Sequence, residues 1–412
     1  MQTRKLLILL LLFVITCNEP FRDTVSVPEK TDTVMKPDTT SLRHKAEWID
    51  SIFTRLSRHN WFNGAILYAE KGHIVYKNAF GYSNFQTRDT LSTHSAFQLA
   101  SVSKTITAMG IMILKEQGRL SYEDTIQQYL PYFPYPGVSI RNLLNHRSGL
   151  SRYMSLSHDQ WHDKEVPLTN QDMLNLYQTH VPSPYFRPDN GFHYCNTNYA
   201  LLACIIEKAG GMPYDHFVQK EIFDPLGMKD SFVYTMEEDS VVPFYVPAEV
   251  MGHRYWKWRP IRIRNEYLNG VMGDKGIYAS VEDLYRFDLA LNNHTLVSAE
   301  TLQEAFTPGS QPYWKRRDNY GFGWRIKETR DSTVYHFGWW KGFRAYYIRD
   351  MKEQKTIIAL CNKDKGPGSS NLWKIIRDTS HFLKFTPVQE TYVPIRSFDP
   401  AKHLSGNALS GF

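Results

Sequence analysis

The chain has 412 residues, of which 42% are hydrophobic and 22% charged, an ordinary globular composition with room for a large core in one or two domains. The net charge of +6 is scattered along the sequence rather than gathered in blocks, so nothing indicates a nucleic-acid partner. Four cysteines without a C-x-x-C pair, and no H-E-x-x-H, support neither a disulfide framework nor a zinc site.

Residues 1–17 read as an export signal. Arg4 and Lys5 supply the basic start, and Leu6 to Ile15 is an apolar run too short to span a bilayer as a helix. The run ends Val14-Ile15-Thr16-Cys17, which resembles a bacterial lipoprotein signal with Cys17 as the acylated residue. The alternative is an ordinary secretory signal with Cys17 incidental. Residues 18–41 lack a sustained apolar period and read as a disordered tether. The folded part is expected over residues 42–386, and residues 387–412 form a tail without a fold-setting signal.

The folded part begins with an amphipathic helix from Leu42 to Arg58, carrying Leu42, Ala46, Ile49, Phe53 and Leu56 on one stripe. Two strand-like runs, Gly64 to Ala69 and His73 to Asn78, flank a Glu70-Lys71-Gly72 turn. The stretch from Phe97 to Met109 then reads as a loop entering a helix, with Ser101 as its cap or first residue. Lys104 falls one turn along on the same face. A serine hydroxyl needs a base to become a nucleophile. A lysine amine serves only when neutral, and apolar surroundings disfavour an ammonium. Leu99, Val102, Ile106 and Met109 supply such surroundings. The helix N-terminus adds partial positive charge and backbone N–H groups where an oxyanion would form. By itself the S-x-x-K pair is a weak signal.

Beyond this helix the middle of the chain is mainly helical. Leu143 to Leu150 contains His146 and Ser148, read as a polar knot at a helix end with Gly149 as a left-handed cap. His158 and His162 have helical metal spacing but sit among Asp159, Gln160 and Asp163, which reads as a solvated surface. Tyr194-Cys195-Asn196 follows a turn and precedes a helix from Tyr199. Tyr194 is a candidate proton carrier beside Lys104. Asn196 is a candidate donor to a substrate carbonyl and acceptor from Lys104. His253 to Arg264 is a basic aromatic run, read as an edge ribbon over the core, with a glycan or anionic-peptide strip as the alternative. Four successive antiparallel strands are expected between Tyr320 and Cys361, then a closing helix from Leu372 to Leu383. Within them, His336-Phe337-Gly338 ends a strand in glycine, where backbone can approach a substrate closely, and the N–H of Trp339 is a candidate oxyanion donor beside that of Ser101.

Taken together, these pieces resemble the serine β-lactamase-like family, which groups class C β-lactamases, D-alanyl-D-alanine carboxypeptidases, D-aminopeptidases and family VIII esterases. Ser101 and Lys104 match its S-x-x-K, Tyr194 and Asn196 its Y-x-N, and His336 to Gly338 its third motif in the H-x-G form. Leu143 to Leu150, Tyr320 to Trp324 and Gly338 to Phe343 agree as auxiliary signatures, and the likeness runs from about Trp48 to Leu383. Three ordered motifs are far more specific than any one of them.

The resemblance implies an α+β fold: an antiparallel sheet flanked by helices, with an all-α subdomain inserted after the nucleophile helix and a cleft between them. It implies acyl transfer, with Ser101 as nucleophile, Lys104 and Tyr194 moving protons, and the Ser101 and Trp339 amides holding the oxyanion. Asn196, His336, Gly338 and Trp339 bind substrate, and no cofactor is called for. The expected partner is a small molecule or peptide, an ester or a small amide such as a D-amino-acid peptide. The expected place is the cell envelope, through the lipid on Cys17. The alternative is a penicillin-recognising protein that acylates and turns over slowly. Three positions depart from the β-lactamase pattern. His336 stands for lysine, Phe337 stands for a hydroxyl residue that helps hold the substrate carboxylate, and Lys275 stands for the first of a glycine pair. The first two argue against efficient β-lactam turnover.

Overall fold

The computed structural model describes residues 31–234, 250–256, 259–310, 318–327, 332–381 and 383–391; the lipidation candidate Cys17 lies outside them. Residues 37–384 form one compact unit. Its frame is an antiparallel seven-stranded sheet in the order Asp318–Tyr320, Arg325–Lys327, Thr333–Trp340, Phe343–Asp350, Lys355–Cys361, Gly64–Glu70 and His73–Phe80. The strands Lys355–Cys361 and Gly64–Glu70 are buried at every position. Their apolar runs, Ile357 to Leu360 and Ala65 to Ala69, suit a strand covered on both faces.

One face carries the terminal helices. Thr39–Arg58 buries Ile49, Ile52, Phe53 and Leu56, and the Phe53 ring meets Phe62 edge-on at 4.9 Å. The helix starts three residues before the expected Leu42, because the Asp38 carboxylate accepts from Ser41 N at 2.8 Å and caps it. The closing helix, Ser369–Ile376, stops short of Leu383. Asp378 accepts from the backbone N–H of His381 at 3.0 Å, an aspartate turn that competes with another helical turn. On the opposite face lies Val281–Asn292, whose Asp288 accepts from Tyr347 Oη at 2.9 Å, Arg349 Nε at 2.6 Å and Thr356 Oγ1 at 2.8 Å.

The helix that follows Ser101, Ser103–Glu116, is buried from Ser103 to Leu114 on all sides. A helix covered all round belongs at a domain's centre, and here it lies against the helical insert that includes Tyr153–Gln160, Asn170–His180 and Asn196–Gly210. The basic aromatic run forms a two-stranded ribbon, with His253 opposite Arg262 and Tyr255 opposite Pro260. His253 is buried against the Phe85 ring at 4.7 Å, while Arg259–Arg262 is exposed throughout.

The strands Thr31–Pro37 and Phe385–Thr391 pair in a sheet of their own. The first strand falls within the stretch read as a tether, and the second overlaps the expected tail. Both hold β-branched residues at alternate positions, Thr31 and Thr33 in one, Thr386 and Val388 in the other, which favours extended backbone once a partner strand is supplied.

Candidate active site

The serine is delivered by a short strand and a strained turn. Phe97–Gln98 pairs with Ile277–Ala279, and Leu99 N donates to Ile277 O at 2.8 Å. Ala100 then takes φ +49°, a left-handed conformation that costs a residue with a Cβ about 1–2 kcal/mol. Ser101 follows within a 3-10 turn, Ala100–Val102, just ahead of the helix proper. The strand Thr333–Trp340 comes up against this turn at Gly338. A Cβ there would lie 2.2 Å from Leu99 O and 3.1 Å from Ser101 N, so only glycine admits the approach. Strand Arg325–Lys327 pairs no further than Tyr335, so from His336 onward that edge borders the serine turn instead of a neighbouring strand.

Lys104 is fully buried, and its Nζ lies 3.1 Å from Ser101 Oγ. It donates to the carbonyl oxygen of Asp274 at 2.7 Å. The expected bond between Lys104 and Asn196 is not formed; the Asp274 carbonyl takes that place. Asn196 opens the helix Asn196–Gly210 and turns its amide nitrogen to Met154 Sδ at 3.6 Å. Tyr194 stands near, with its ring centroid 5.3 Å from Lys104 Nζ, but its hydroxyl bonds neither Lys104 nor Ser101. Tyr194 Oη and Asn196 Oδ1 are both buried without a partner. A buried polar atom left without a partner in the fold is a candidate ligand contact.

A knot behind Tyr194 holds it there. His146 Nδ1 accepts from Cys195 N at 3.3 Å and from Asn198 Nδ2 at 3.1 Å, and Ser148 Oγ donates to Asn198 Oδ1 at 2.7 Å. The His146 and Tyr194 rings lie 4.4 Å apart. Burial pushes the His146 imidazole well below its usual range, with Lys104 and His336 adding to the effect.

His336 is also buried and neutral. Its Nδ1 lies 3.0 Å from Phe337 O, a carbonyl that can only accept, so Nδ1 carries the proton and Nε2 accepts from Tyr320 Oη at 3.0 Å. Burial first, then Arg325 and Lys104, hold its pKa well down. Phe337 points to the other face of the sheet, among Tyr335, Tyr346 and Trp373. Trp339, the next residue after the glycine that meets the serine turn, keeps an exposed side chain.

Two features escaped the sequence reading. The Asp274 carbonyl is one. The other is Arg325, which directly follows the Tyr320 to Trp324 signature and leans over the Tyr194 ring at 5.0 Å and the Tyr320 ring at 5.9 Å. Its guanidinium forms no ion pair with any carboxylate among the described residues. Among the described residues, the site thus presents a cation without an ion-pair partner over the ring of Tyr194, whose hydroxyl is itself unsatisfied.

Comparison with known proteins fits this geometry. A family profile described as Beta-lactamase matches residues 49–380. The chain is 36% identical over 375 residues to penicillin-binding protein 4* of Bacillus subtilis (strain 168), covering 89% of this chain and 82% of that one. It is 26% identical over 322 residues to a D-aminopeptidase of Brucella anthropi, covering 74% of this chain and 56% of that one. The crystal structure of a penicillin-binding protein from Bacillus halodurans superposes with a TM-score of 0.67 at 25% identity, over 79% of this chain and 98% of that one. With a profile spanning most of its length, the chain belongs to the beta-lactamase family of serine hydrolases.

Proposed function

We propose that this protein is an exported hydrolase that works through an acyl-enzyme on Ser101, acting on an ester or small amide, and on D-amino-acid peptides that carry a free carboxylate. The observation that carries the reading is the buried Lys104 amine bridging Ser101 Oγ at 3.1 Å and the Asp274 carbonyl at 2.7 Å. Ser101 attacks the carbonyl carbon while its proton passes to Lys104. The amides of Ser101 and Trp339 take the oxyanion, a role the close approach of Gly338 to Ser101 N supports. Tyr194 Oη, unpartnered beside Lys104, passes the proton to the leaving group, and Asn196 steadies the substrate amide. Water then releases the acyl group.

His336 supplies no charge in this scheme; through Tyr320 it braces the strand edge. Arg325 provides the cation for a substrate carboxylate, a task for which a planar guanidinium is suited. Residues 1–17, with their basic start and apolar run ending at Cys17, support export and lipid anchoring at the cell envelope.

The test compares wild type, Ser101→Ala and Arg325→Gln on a chromogenic short-chain ester and a D-alanine peptide. Ser101→Ala abolishes both activities. Arg325→Gln raises KM for the peptide by about ten-fold or more and leaves the neutral ester unchanged, the mark of lost ground-state binding to one charged group. Equal, residual activity in wild type and Ser101→Ala overturns the reading. The likeness to penicillin-binding protein 4* favours a second reading, slow turnover of a penicillin. Mass spectrometry separates the two, since a slow protein retains a stable penicillin adduct on Ser101 and a rapid hydrolase does not.

A further inference from the structure

The loop 271–276, between the turn Tyr267–Gly270 and the strand Ile277–Ala279, sets two backbone carbonyls against the nucleophile helix. Asp274 O accepts from Lys104 Nζ at 2.7 Å, and Gly273 O accepts from Thr107 Oγ1 at 2.7 Å. Gly273 and Gly276 both take φ +95°, a left-handed backbone that glycine adopts freely. Asn170 holds the loop at Met272, accepting from its N–H at 2.7 Å and donating to its carbonyl at 3.1 Å, and the loop's two ionisable side chains add anchors beyond Gly273. Asp274 is 1% exposed and Lys275 2%. Lys275 Nζ donates to Tyr153 Oη at 2.8 Å, to Val271 O at 3.1 Å and to Asp274 Oδ1 at 3.4 Å, so each ammonium proton has an acceptor. Tyr153 Oη donates in turn to Asp274 Oδ2 at 3.2 Å. The ammonium also lies 5.2 Å from the ring of Trp340, at the end of the strand that carries Trp339.

We propose that Lys275 is a positioning residue for Lys104: its buried contacts with Asp274, Tyr153 and Val271 fix the Asp274 carbonyl that aims the Lys104 amine at Ser101. This role rests on the acyl-enzyme reading above. A neutral primary amine has two N–H groups and one lone pair. For the reaction Lys104 must be in this neutral form, with one N–H held by Asp274 O and its lone pair turned to Ser101 Oγ. As the bond from Oγ to the substrate carbon forms, the hydroxyl proton moves onto that lone pair and the carbonyl π electrons move to the oxyanion. The ammonium so formed gives up the proton through Tyr194 Oη, which passes it to the leaving group as the second bond breaks. A loop free to drift lets the amine rotate away, which slows bond formation and leaves the substrate's own contacts intact. The position that departs from the family's glycine pair therefore pins a loop that a glycine pair would leave loose.

The experiment measures kcat and KM on the chromogenic ester, and the rate of Ser101 labelling by a fluorophosphonate, in the full chain. The variants are Lys275→Met, Asp274→Asn/Lys275→Met, Lys45→Met as a buried-lysine control far from the serine, and Ser101→Ala. Lys275→Met lowers kcat and labelling by about 10- to 100-fold with KM within about three-fold of wild type. The double variant leaves no unpaired buried charge, so it folds by circular dichroism, and it stays as slow. Lys45→Met keeps the wild-type kcat. A folded double variant with wild-type kcat, while Ser101→Ala is dead, overturns the positioning role alone; so does an equal fall in Lys45→Met. Activity that survives in Ser101→Ala instead overturns the acyl-enzyme reading beneath it.

Discussion

Among the described residues, two buried lysine–carboxylate pairs are of nearly the same make. In the first, Lys45 of the opening helix donates to Glu70 Oε2 at 3.1 Å, Tyr68 Oη donates to the same oxygen at 2.9 Å, and the ammonium sits 5.2 Å from the Tyr68 ring. In the second, Lys275 meets Asp274 and Tyr153, with the ammonium 5.4 Å from the Tyr153 ring. Both lysines are almost wholly buried. What differs is the neighbour. The Lys45 pair ties a helix to the sheet face away from the serine, and its residues have no contact with the catalytic groups. The Lys275 pair belongs to a loop whose carbonyl is bonded to Lys104. Burial pulls the Lys275 ammonium below its usual range while Asp274 pulls it back, which marks a charge kept inside by its partner. The same chemical unit therefore serves as a fastener in one place and as a support for reacting atoms in the other.

Breaking either pair from one side gives the largest expected effect. Lys45→Met leaves Glu70 buried and unpaired, and Lys275→Met does the same to Asp274. Each should cost about 3–5 kcal/mol of stability, read as a fall in the urea midpoint at constant slope. Replacing Lys45 and Glu70 together by methionine and leucine should return most of that loss, because no stranded charge remains. Equal stability of the single and paired variants would show that the ion pair is not what holds the first helix down.

The next effect separates the two regions by pH. His146 and His336 are buried neutral beside the serine, both pushed well below the ordinary imidazole range chiefly by burial. In the unfolded chain they titrate near about pH 6.5. Above that value neither state binds the proton and they contribute no pH dependence. Below it the unfolded chain takes up protons that the fold refuses, so stability falls as pH falls, by about 1.4 kcal/mol per unit for each histidine. Urea midpoints between pH 7.5 and 5.5 measure this slope. His336→Gln and His146→Gln should each remove one proton's share of it, and the paired replacement of Lys45 by methionine and Glu70 by leucine, which strands no carboxylate, should leave it unchanged. A slope unaffected by either histidine substitution would place the acid-sensitive groups elsewhere.

The contrast also explains what could be read from the chain. Ser101 and Lys104 are three residues apart at a helix entrance, so local geometry alone brings them together, and the residue types declare their chemistry. The strands from Tyr320 to Cys361 alternate or run apolar in ways that any sheet requires. The His146–Ser148 knot was legible because Gly149 marks the turn that follows. The Asp274 carbonyl was not, since a backbone acceptor has no residue signature and its partner lies 170 positions away. Lys275 stood out as a departure, but its burial depends on Tyr153 and Trp340, which come from different parts of the chain. Arg325 and the Phe337 orientation follow from strand register and facing, which a slip of one residue would reverse.

The smallest effect isolates the tyrosines. Tyr68 Oη has one described role, donation to Glu70, so Tyr68→Phe removes one hydrogen bond to a carboxylate that keeps Lys45. That should cost about 1–2 kcal/mol and change kcat not at all. Tyr153 Oη both accepts from Lys275 and donates to Asp274, so Tyr153→Phe strands a buried ammonium proton and a carboxylate lone pair together. Its stability cost should be similar or slightly larger, about 2–3 kcal/mol. Unlike Tyr68→Phe, it should slow Ser101 acylation by a few-fold, because Lys275 keeps Val271 O and Asp274 Oδ1 and the loop is loosened rather than released. Thermal melts and labelling rates on the two variants give both quantities. Identical kinetics for the two would mean that the second cluster is a fastener like the first, and that Lys104 keeps its aim without the tyrosine's help.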